Sequence, residues 1–431
     1  MLYSALESLN CELQHLCDDA RLQSPRQLAR SLQLADDFDA IEWLAAQPVF
    51  PKFYWQSRDG AEEIVALGAL AKYTSPEQAQ AALIAPQRIW GGLPFDAHEN
   101  AQQGFFFLPA VELCRFGESW QLLVNLNEQP ALSLELLSQL NDRRELMPLR
   151  AKRVAMSHAP QQPQWQAQVT QALDAIAQGS LAKVVLARKT QVQLSEPVRP
   201  AQIIQASRRA NPNSIHFMLA LDLSHGFIGS TPERLFMRRD HTLYTEALAG
   251  TIGRGDNAEQ DSELASWLLN DAKNIYENQL VVDDIAASLE DAVDEFHVAS
   301  SPSLVRLAKV QHLKRPITAQ CHANICDANL LSRLHPTAAV AGLPRAQAKA
   351  FIAEHEPFTR GWYSGAVGYL SAARSEFCVA IRSAQICDNT VELYAGAGIV
   401  PGSDADSEWQ ELERKTATLL RLFADASVSK E

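Results

Sequence analysis

The chain has 431 residues, and an excess of acidic over basic side chains gives it a formal net charge of −13. That charge argues against a sequence-independent nucleic-acid clamp and against a polybasic membrane anchor, because both need clustered basic residues. Hydrophobic residues make up 47% of the chain and charged residues 21%, which excludes compositional disorder, and no apolar run approaches the ~18 residues of a membrane-spanning helix.

The N-terminal residues predict an amphipathic helix. Leucines recur there at helical spacing, while Glu7 and Glu12 interrupt the apolar positions. A secretory signal is not expected, because no basic segment precedes the apolar residues. We expect this helix to dock on the body of the protein through Leu2, Leu6, Leu9, Leu13 and Leu16.

The cysteine pattern predicts a cytoplasmic protein. Seven cysteines, an odd number, are spread along the chain without a Cys-x-x-Cys pair. This fits reduced thiols better than a disulfide framework or a zinc site. Histidine pairs at metal-binding helical spacing are absent from the sequence as well, so a histidine-rich metal centre has no support.

The remaining elements follow from hydrophobic periodicity, taken in chain order. Residues 53–55 and 105–107 are aromatic strand-like segments, and the polar stretch 149–163 predicts a connector. The strands predicted after it are 183–193, 216–223, 227–230, 234–238, 243–247, 364–371, 376–384 and 391–400. The helices predicted after it are 165–176, 200–209, 259–289 in two pieces, and 403–423. Strands that follow one another in runs favour an α+β fold with a large, mostly antiparallel sheet over a doubly wound fold.

Lys183 stands on a predicted strand whose two faces both look buried. Alternation places Val184 and Leu186 on one face and Lys183 beside Val185 on the other. A lysine inside a sheet is costly unless it is paired or has a function. The alternative is a lysine at the start of the strand whose amine reaches solvent.

Arg382 lies among small side chains in the predicted strand 376–384. Alternation puts it on one face with Cys378 and Ala380, which leaves room beside the guanidinium. Such a group suits bidentate carboxylate binding. A structural salt bridge to an internal carboxylate explains the same pattern equally well.

Two predicted helices carry carboxylates beside apolar stripes. Glu408, Glu411 and Lys415 follow at i, i+3 and i+7, and two carboxylates one turn apart can hold a hard cation. The alternative is a solvated face with a Glu411–Lys415 ion pair worth about 0.2–0.5 kcal/mol. Glu277 is in line with an apolar stripe and is a candidate metal ligand or acid. Alternatively it pairs with Lys273 at the surface.

Two glycine-rich segments are candidates for anion binding. Residues 395–400 contain Gly396 and precede the last predicted helix, and residues 249–251 place Gly250 at the end of a strand. Bare backbone ahead of a helix N-terminus can cradle an anion, although glycines in strands often mark only a bulge or close packing. Neither segment is a nucleotide P-loop.

Eight short motifs occur in an order that resembles the chorismate-utilising enzymes, which include anthranilate, aminodeoxychorismate, isochorismate and salicylate synthases. The match covers about residues 160–425. Segments 53–56 and 88–91 look like those of isochorismate synthases of menaquinone synthesis, which extends the resemblance over the whole chain. The motifs are KVVLAR at 183–188, STPER at 230–234, EALAGT at 246–251, HPT at 335–337, YSGAVG at 363–368, IRSA at 381–384, AGAGIV at 395–400 and EWQE at 408–411.

The resemblance implies a single large α+β domain with a mostly antiparallel, β-sandwich-like core ringed by helices. Residues 1–155 would be the N-terminal part of that fold, and residues 160–425 its chorismate-binding catalytic region. The implied activity is the Mg²⁺-dependent, reversible conversion of chorismate to isochorismate, in which water adds at C2 and the C4 hydroxyl leaves. We expect a monomer or homodimer without a glutamine amidotransferase partner, and without nucleic-acid or membrane partners.

The resemblance also implies roles for individual residues. Lys183 matches the base that activates water, and Glu233 matches the acid that protonates the departing hydroxyl. Glu277 and Glu411 match Mg²⁺ ligands, with Glu408 beside them, directly or through water. The residues that match the substrate shell are Gly250, Thr337, Tyr363, Arg382, Gly396 and Lys415.

Two alternatives within this resemblance stay open. Anthranilate synthases, which use ammonia, usually carry Gln where this chain has Lys183, but salicylate synthases carry Lys, so a salicylate synthase is one alternative. A non-catalytic aromatic-acid binding subunit on the same fold is the other, and it would be expected to lose the base or the acid. Asn274 and Asn278 stand where many relatives have a carboxylate and a histidine, so no additional carboxylate ligand is expected from these positions.

Overall fold

Antiparallel strands organise the computed structural model, which describes residues 2–18, 26–96 and 103–425. The strands are β1 (Gln27–Leu32), β2 (Lys52–Gln56), β3 (Glu62–Tyr73), β4 (Arg88–Leu93), β5 (Phe105–Phe116), β6 (Ser119–Asn125), β7 (Arg153–Ala159), β8 (Lys183–Leu194), β9 (Ile215–Ala220), β10 (His225–Thr231), β11 (Arg234–Arg239), β12 (Thr242–Gly253), β13 (Val293–Val298), β14 (Ser303–Arg306), β15 (Val310–Cys321), β16 (Gly342–Leu343), β17 (Ala366–Ser371), β18 (Arg374–Val379), β19 (Ser383–Cys387) and β20 (Thr390–Ile399). The helices are α1 (Leu2–Asp18), α2 (Ala40–Ala46), α3 (Pro76–Ala82), α4 (Pro130–Ser138), α5 (Gln162–Ala177), α6 (Pro200–Ala210), α7 (Ala258–Asn270), α8 (Ala272–Leu289), α9 (Asp327–Leu334), α10 (Arg345–His355) and α11 (Ala405–Leu420).

The strand pairings form two runs that meet at β5. The first run is β1-β6-β5-β3-β2-β9-β10-β19-β20-β8-β7, with β16 also on β8. The second is β4-β17-β18-β11-β12-β15, with β13 and β14 on β15, and β4 pairs with β5. All of these pairings are antiparallel, so the predicted α+β class is confirmed.

Apolar side chains from both runs pack together in a sandwich-like core. Trp55 on β2 and Phe217 on β9 share a buried cluster with Val367 and Tyr369 on β17. The Trp55 and Tyr369 rings meet edge to face with centroids 6.1 Å apart. The predicted β-sandwich-like core is therefore present, with helices packed around it.

Strands from the two predicted regions alternate within the same sheets. β2 pairs with β9 and β4 pairs with β17, so each pairing joins residues before 155 to residues after 160. Helix α1 docks as expected, with Leu2, Leu6, Leu9 and Leu13 buried. None of the described helices is both long and apolar enough to cross a membrane.

Two predicted elements are wrong. The connector 149–163 contains strand β7, which pairs with β8, and its last residues already belong to α5. Because most β7 side chains are exposed, the strand has no apolar pattern that the sequence could reveal.

The predicted strand 376–384 is broken, since β18 ends at Val379 and Arg382 has a φ of +50°. The alternation assumed for Arg382 therefore does not hold.

Candidate active site

Most of the predicted site residues line one cavity of about 60 Å³. Its walls come from β8, β12, β15, β20, α8 and α11 and from the segments around residues 233, 339, 363 and 382. Strands and helices that are far apart in the sequence thus bring the motifs together. The predicted residues on its walls are Glu233, Gly250, Glu277, Tyr363, Arg382, Gly396, Glu411 and Lys415.

Lys183 lies behind Glu277 at the start of β8 and is fully buried. Its Nζ is 2.9 Å from Oε1 of Glu277, so the solvent-reaching alternative for this lysine is wrong. Burial raises the pKa of the Glu277 carboxyl, but Lys183, with Lys415 and Lys273, outweighs burial and leaves that pKa below its ordinary value. A Cβ at Gly398 would lie 2.4 Å from Oε1 of Glu277, so only glycine lets the pair sit against β20.

Glu233 occupies the turn between β10 and β11. Its backbone N–H donates to Oγ1 of Thr231 over 3.2 Å, and its carbonyl accepts from the N–H of Val379 over 3.1 Å. Burial raises the pKa of the Glu233 carboxyl to about 8, and the neighbouring Glu246 carboxylate adds to the effect. The group is therefore mostly protonated at neutral pH, which is the state that a general acid needs.

Two lysines hold the carboxylates of α11. Lys415 Nζ is 2.6 Å from Oε1 of Glu411 and donates to the carbonyl of Gly396 over 2.9 Å. Lys273 Nζ is 2.7 Å from Oε1 of Glu408, so Lys273 pairs with this residue and not with Glu277. Burial and then the nearby Glu411 raise the pKa of Glu408, although Lys273 opposes the rise. Two carboxylates one helical turn apart can hold a hard cation, which would take over the charge neutralisation that the two lysines provide in this structure.

Arg382 aims an unpartnered donor at the cavity from the turn after β18. Its Nη1 is buried without a hydrogen-bond partner among the described residues, while Nη2 lies 3.1 Å from Nε2 of His312. Burial lowers the pKa of Arg382 to about 10, although Glu411 opposes the shift. A buried guanidinium with a free N–H is suited to a carboxylate ligand.

His312 is a cavity residue that the sequence did not reveal. Burial, and then Arg382, hold the pKa of its imidazole well below the ordinary range, so the ring is neutral. Since Arg382 can only donate, Nε2 of His312 accepts, and Nδ1–H donates to Oγ1 of Thr251 over 2.9 Å. A histidine on a strand gives no pattern in one sequence, so no signal could have found it.

Aromatic rings form another wall of the cavity. The ring of Tyr363 stacks on that of Tyr394, with centroids 5.1 Å apart and an interplanar angle of 12°. A Cβ at Gly396 would lie 2.7 Å from the Tyr363 hydroxyl oxygen, so glycine at this position leaves the room that the hydroxyl occupies. Tyr394 was not predicted as a site residue, because its position in β20 gave no charge or glycine signal.

Thr337 and Glu408 are buried but do not line this cavity. The Thr337 hydroxyl has no hydrogen-bond partner among the residues that the structure describes, and its loop continues into Val340, which does line the cavity. Asn274 accepts from the backbone N–H of Thr251 over 3.1 Å, and Asn278 donates to backbone carbonyls of β12. The two asparagines therefore hold the strand that carries Gly250.

Comparisons with known proteins agree with the arrangement. A family described as chorismate binding enzymes matches residues 77–424. The isochorismate synthase MenF of Escherichia coli K12 is 44% identical, over 98% of this chain and 99% of that protein. The MenF of Haemophilus influenzae is 40% identical, over 94% and 93%. A solved structure of the E. coli enzyme superposes with a TM-score of 0.87 and 43% identity, over 96% of this chain and 100% of that one. The chain belongs to the chorismate binding enzyme family.

Proposed function

We propose that the protein is an isochorismate synthase, which adds water at C2 of chorismate and releases the C4 hydroxyl in a reversible reaction. One observation carries the proposal: Glu233, whose carboxyl stays protonated near neutral pH, lines the cavity, and the buried amine of Lys183 contacts Glu277 on the wall of the same cavity. The family and the MenF relatives support it.

Water is a poor nucleophile and hydroxide is a poor leaving group, so the reaction needs a base and an acid on either side of the ring. Lys183, as the neutral amine, takes the proton of the attacking water. Glu233 gives its proton to the departing C4 oxygen. The forward step leaves Lys183 protonated and Glu233 ionised, and in the reverse reaction Lys183 is the acid and Glu233 the base. After isochorismate leaves, Lys183 gives its proton to solvent and Glu233 takes one from solvent, which prepares the enzyme for the next forward turnover.

Mg²⁺ is the cofactor that these residues fit. Glu277 and Glu411 face the cavity with carboxylate oxygens, and Glu408, whose pKa is raised by burial and then by Glu411, lies beside them. Oxygen donors of this type are the ligands that Mg²⁺ prefers. When bound, the ion supplies positive charge that orients a substrate carboxylate.

The charges of the cavity match a dianion only when a divalent cation is included. Arg382 and Lys415 are balanced by Glu277 and Glu411 if Lys183 is neutral and Glu233 is protonated. A divalent cation then leaves a surplus of two positive charges, which equals the charge of the two chorismate carboxylates. Arg382, with its unpartnered Nη1, binds one of these carboxylates.

The test is incubation with chorismate, with and without Mg²⁺, followed by chromatography of the products. We expect isochorismate, formed only with Mg²⁺ and without any need for ammonia. Accumulation of salicylate would identify a salicylate synthase, and binding of chorismate without turnover would identify a non-catalytic subunit. We further propose that the product serves menaquinone synthesis, because the matched E. coli structure is described as menaquinone-specific. We expect a cytoplasmic monomer or homodimer.

A further inference from the structure

A buried ion pair outside the cavity contacts the backbone on both sides of Glu233. The guanidinium of Arg58 bonds to both carboxylate oxygens of Glu246, with Nη1 3.1 Å from Oε2 and Nη2 on Oε1. The Glu246 side chain is only 6% exposed and that of Arg58 17%. A charged pair this deep is held in one geometry, since either partner alone would be a costly buried charge.

The same pair reaches the backbone on both sides of Glu233. Nη2 of Arg58 donates to the carbonyl of Pro232 over 2.6 Å. Oε1 of Glu246 accepts from the N–H of Arg234 over 2.9 Å. The residues immediately before and after Glu233 are thus tied to one rigid salt bridge, which fixes the direction in which the Glu233 side chain leaves the backbone.

We propose that Arg58 and Glu246 are positioning residues for the general acid, which clamp the backbone around Glu233 and place a fixed negative charge beside its carboxyl. The proposal rests on the assignment of Glu233 as the acid of the proposed function. It also gives the N-terminal part of the chain a role in catalysis, because Arg58 lies between β2 and β3.

The clamp works through geometry and through charge. A carboxyl group turned away from the departing oxygen cannot protonate it, so the backbone ties preserve the reactive orientation. Burial raises the pKa of the Glu233 carboxyl most, and the Glu246 carboxylate, kept ionised by Arg58, adds to the rise. Lys183, Lys415 and, more weakly, Arg58 itself oppose the rise in this pKa. The charged groups around Glu233 are Glu246, Arg58, Lys183, Lys415, Arg382, Glu277 and Glu411.

Two variants separate the two effects. Glu246→Gln keeps the shape and the acceptor for the Arg234 N–H but removes the charge. Since the like charge is gone, the high-pH limb of kcat/KM for chorismate is expected to move down by about one pH unit, with KM within about twofold of wild type. Arg58→Lys keeps a positive charge but loses the planar guanidinium, whose N–H groups donate to Glu246 and to the Pro232 carbonyl at the same time. We expect its kcat to fall about tenfold or more at an unchanged limb.

Asp327→Asn is the matched control. Asp327 is a buried carboxylate with a bidentate bond to Arg238, and it does not line the cavity. Its loss is expected to lower the melting temperature while leaving kcat and the pH profile of the folded enzyme as in wild type. If Glu246→Gln and Arg58→Lys behave like this control, the pair is merely structural and the proposal is overturned.

The outcome is separable from that of the proposed function. Isochorismate formation by the wild-type enzyme tests the function alone, whatever the variants do. If Glu246→Gln does not fold, Arg58→Lys still decides the positioning role through its kcat against its KM. If both variants keep the full kcat and the high-pH limb of kcat/KM stays where it is in wild type, the positioning role is refuted. The isochorismate synthase assignment is then unaffected.

Discussion

Replacing Glu233 with Gln tests the chemistry of the site most directly. Gln keeps the shape of the side chain but has no proton to give to the C4 hydroxyl. A pKa of about 8 leaves about nine in ten Glu233 carboxyls protonated at pH 7, whereas an ordinary pKa of about 4.5 would leave about one in three hundred. The buried environment is therefore worth about 300-fold in the population of active acid, and Glu233→Gln is expected to lose about 10²–10⁴ in kcat.

The wild-type pH profile follows from the same numbers. Above pH 8 the protonated fraction falls about tenfold per unit, so kcat/KM is expected to fall with that slope. Bound Mg²⁺ adds positive charge nearby and moves the limb to lower pH. The assay is isochorismate formation by chromatography between pH 6 and 10 at saturating Mg²⁺. A flat profile over that range, or Glu233→Gln at more than a tenth of wild-type kcat, would refute the reasoning.

Stability gives an independent readout of the same group. The folded carboxyl keeps its proton up to about pH 8, while the unfolded one ionises near 4.5. Between these values the folded state binds a proton that the unfolded state lacks, so the free energy of unfolding falls as pH rises through this window. Glu233→Gln has no ionisable group at this position, so its free energy of unfolding does not fall in this way as the pH rises. Without Mg²⁺ the variant should be more stable than wild type at pH 9 by on the order of a few kcal/mol, and equal to it near pH 4. Equal stabilities at both pH values would contradict the raised pKa.

Three further changes test the other assigned roles. Lys183→Ala is expected to abolish water addition while chorismate still binds, measured by turnover and by calorimetric titration; substantial isochorismate formation would contradict the base assignment. Glu411→Gln is expected to weaken the Mg²⁺ titration of activity at least tenfold along with kcat, because a carboxylate ligand is lost, and an unchanged titration would count against it as a ligand. Arg382→Lys is expected to raise KM for chorismate about 10–100-fold, since a bidentate charge-assisted contact is lost, and a KM within twofold would place the carboxylate elsewhere.

The sequence predicted the fold class and most of the elements, because alternation and helical periodicity survive wherever an element has one buried face. Strand β8 and the two pieces of 259–289, which are α7 and α8, follow such patterns closely. β7 was missed because its side chains are mostly exposed, so pairing with β8 leaves no trace in the apolar pattern. The pairings β2–β9 and β4–β17 join distant segments, and only the resemblance, not periodicity, predicted that the two halves share one core.

The candidate site shows the same division. Charged residues that interrupt apolar patterns pointed to Lys183, Glu277 and Arg382, and motif order added Glu233. The partners of these residues could not be predicted from the sequence, since the Lys183–Glu277 contact joins residues that no local pattern connects. The alternative for Glu277, a surface pair with Lys273, is wrong. Helical spacing identifies neighbours on the same helix but not the residues that other elements bring to it, which here are Lys183 on β8 and Glu408 on α11. His312 was missed because a histidine on a strand gives no pattern in one sequence.

An acidic protein that binds a dianion has to confine its positive charge. The net charge of −13 says nothing about the cavity, where Glu277 and Glu411 each pair with a lysine and Glu233 is mostly uncharged near neutral pH. Removing a proton from Glu233 would add a negative charge where a dianion must bind, so protonation serves binding as well as catalysis. Raising the pH should therefore increase KM for chorismate as well as lower kcat. Since chorismate would bind better to the protonated form, binding would raise the pKa of Glu233, and the midpoint of kcat would lie at higher pH than that of kcat/KM.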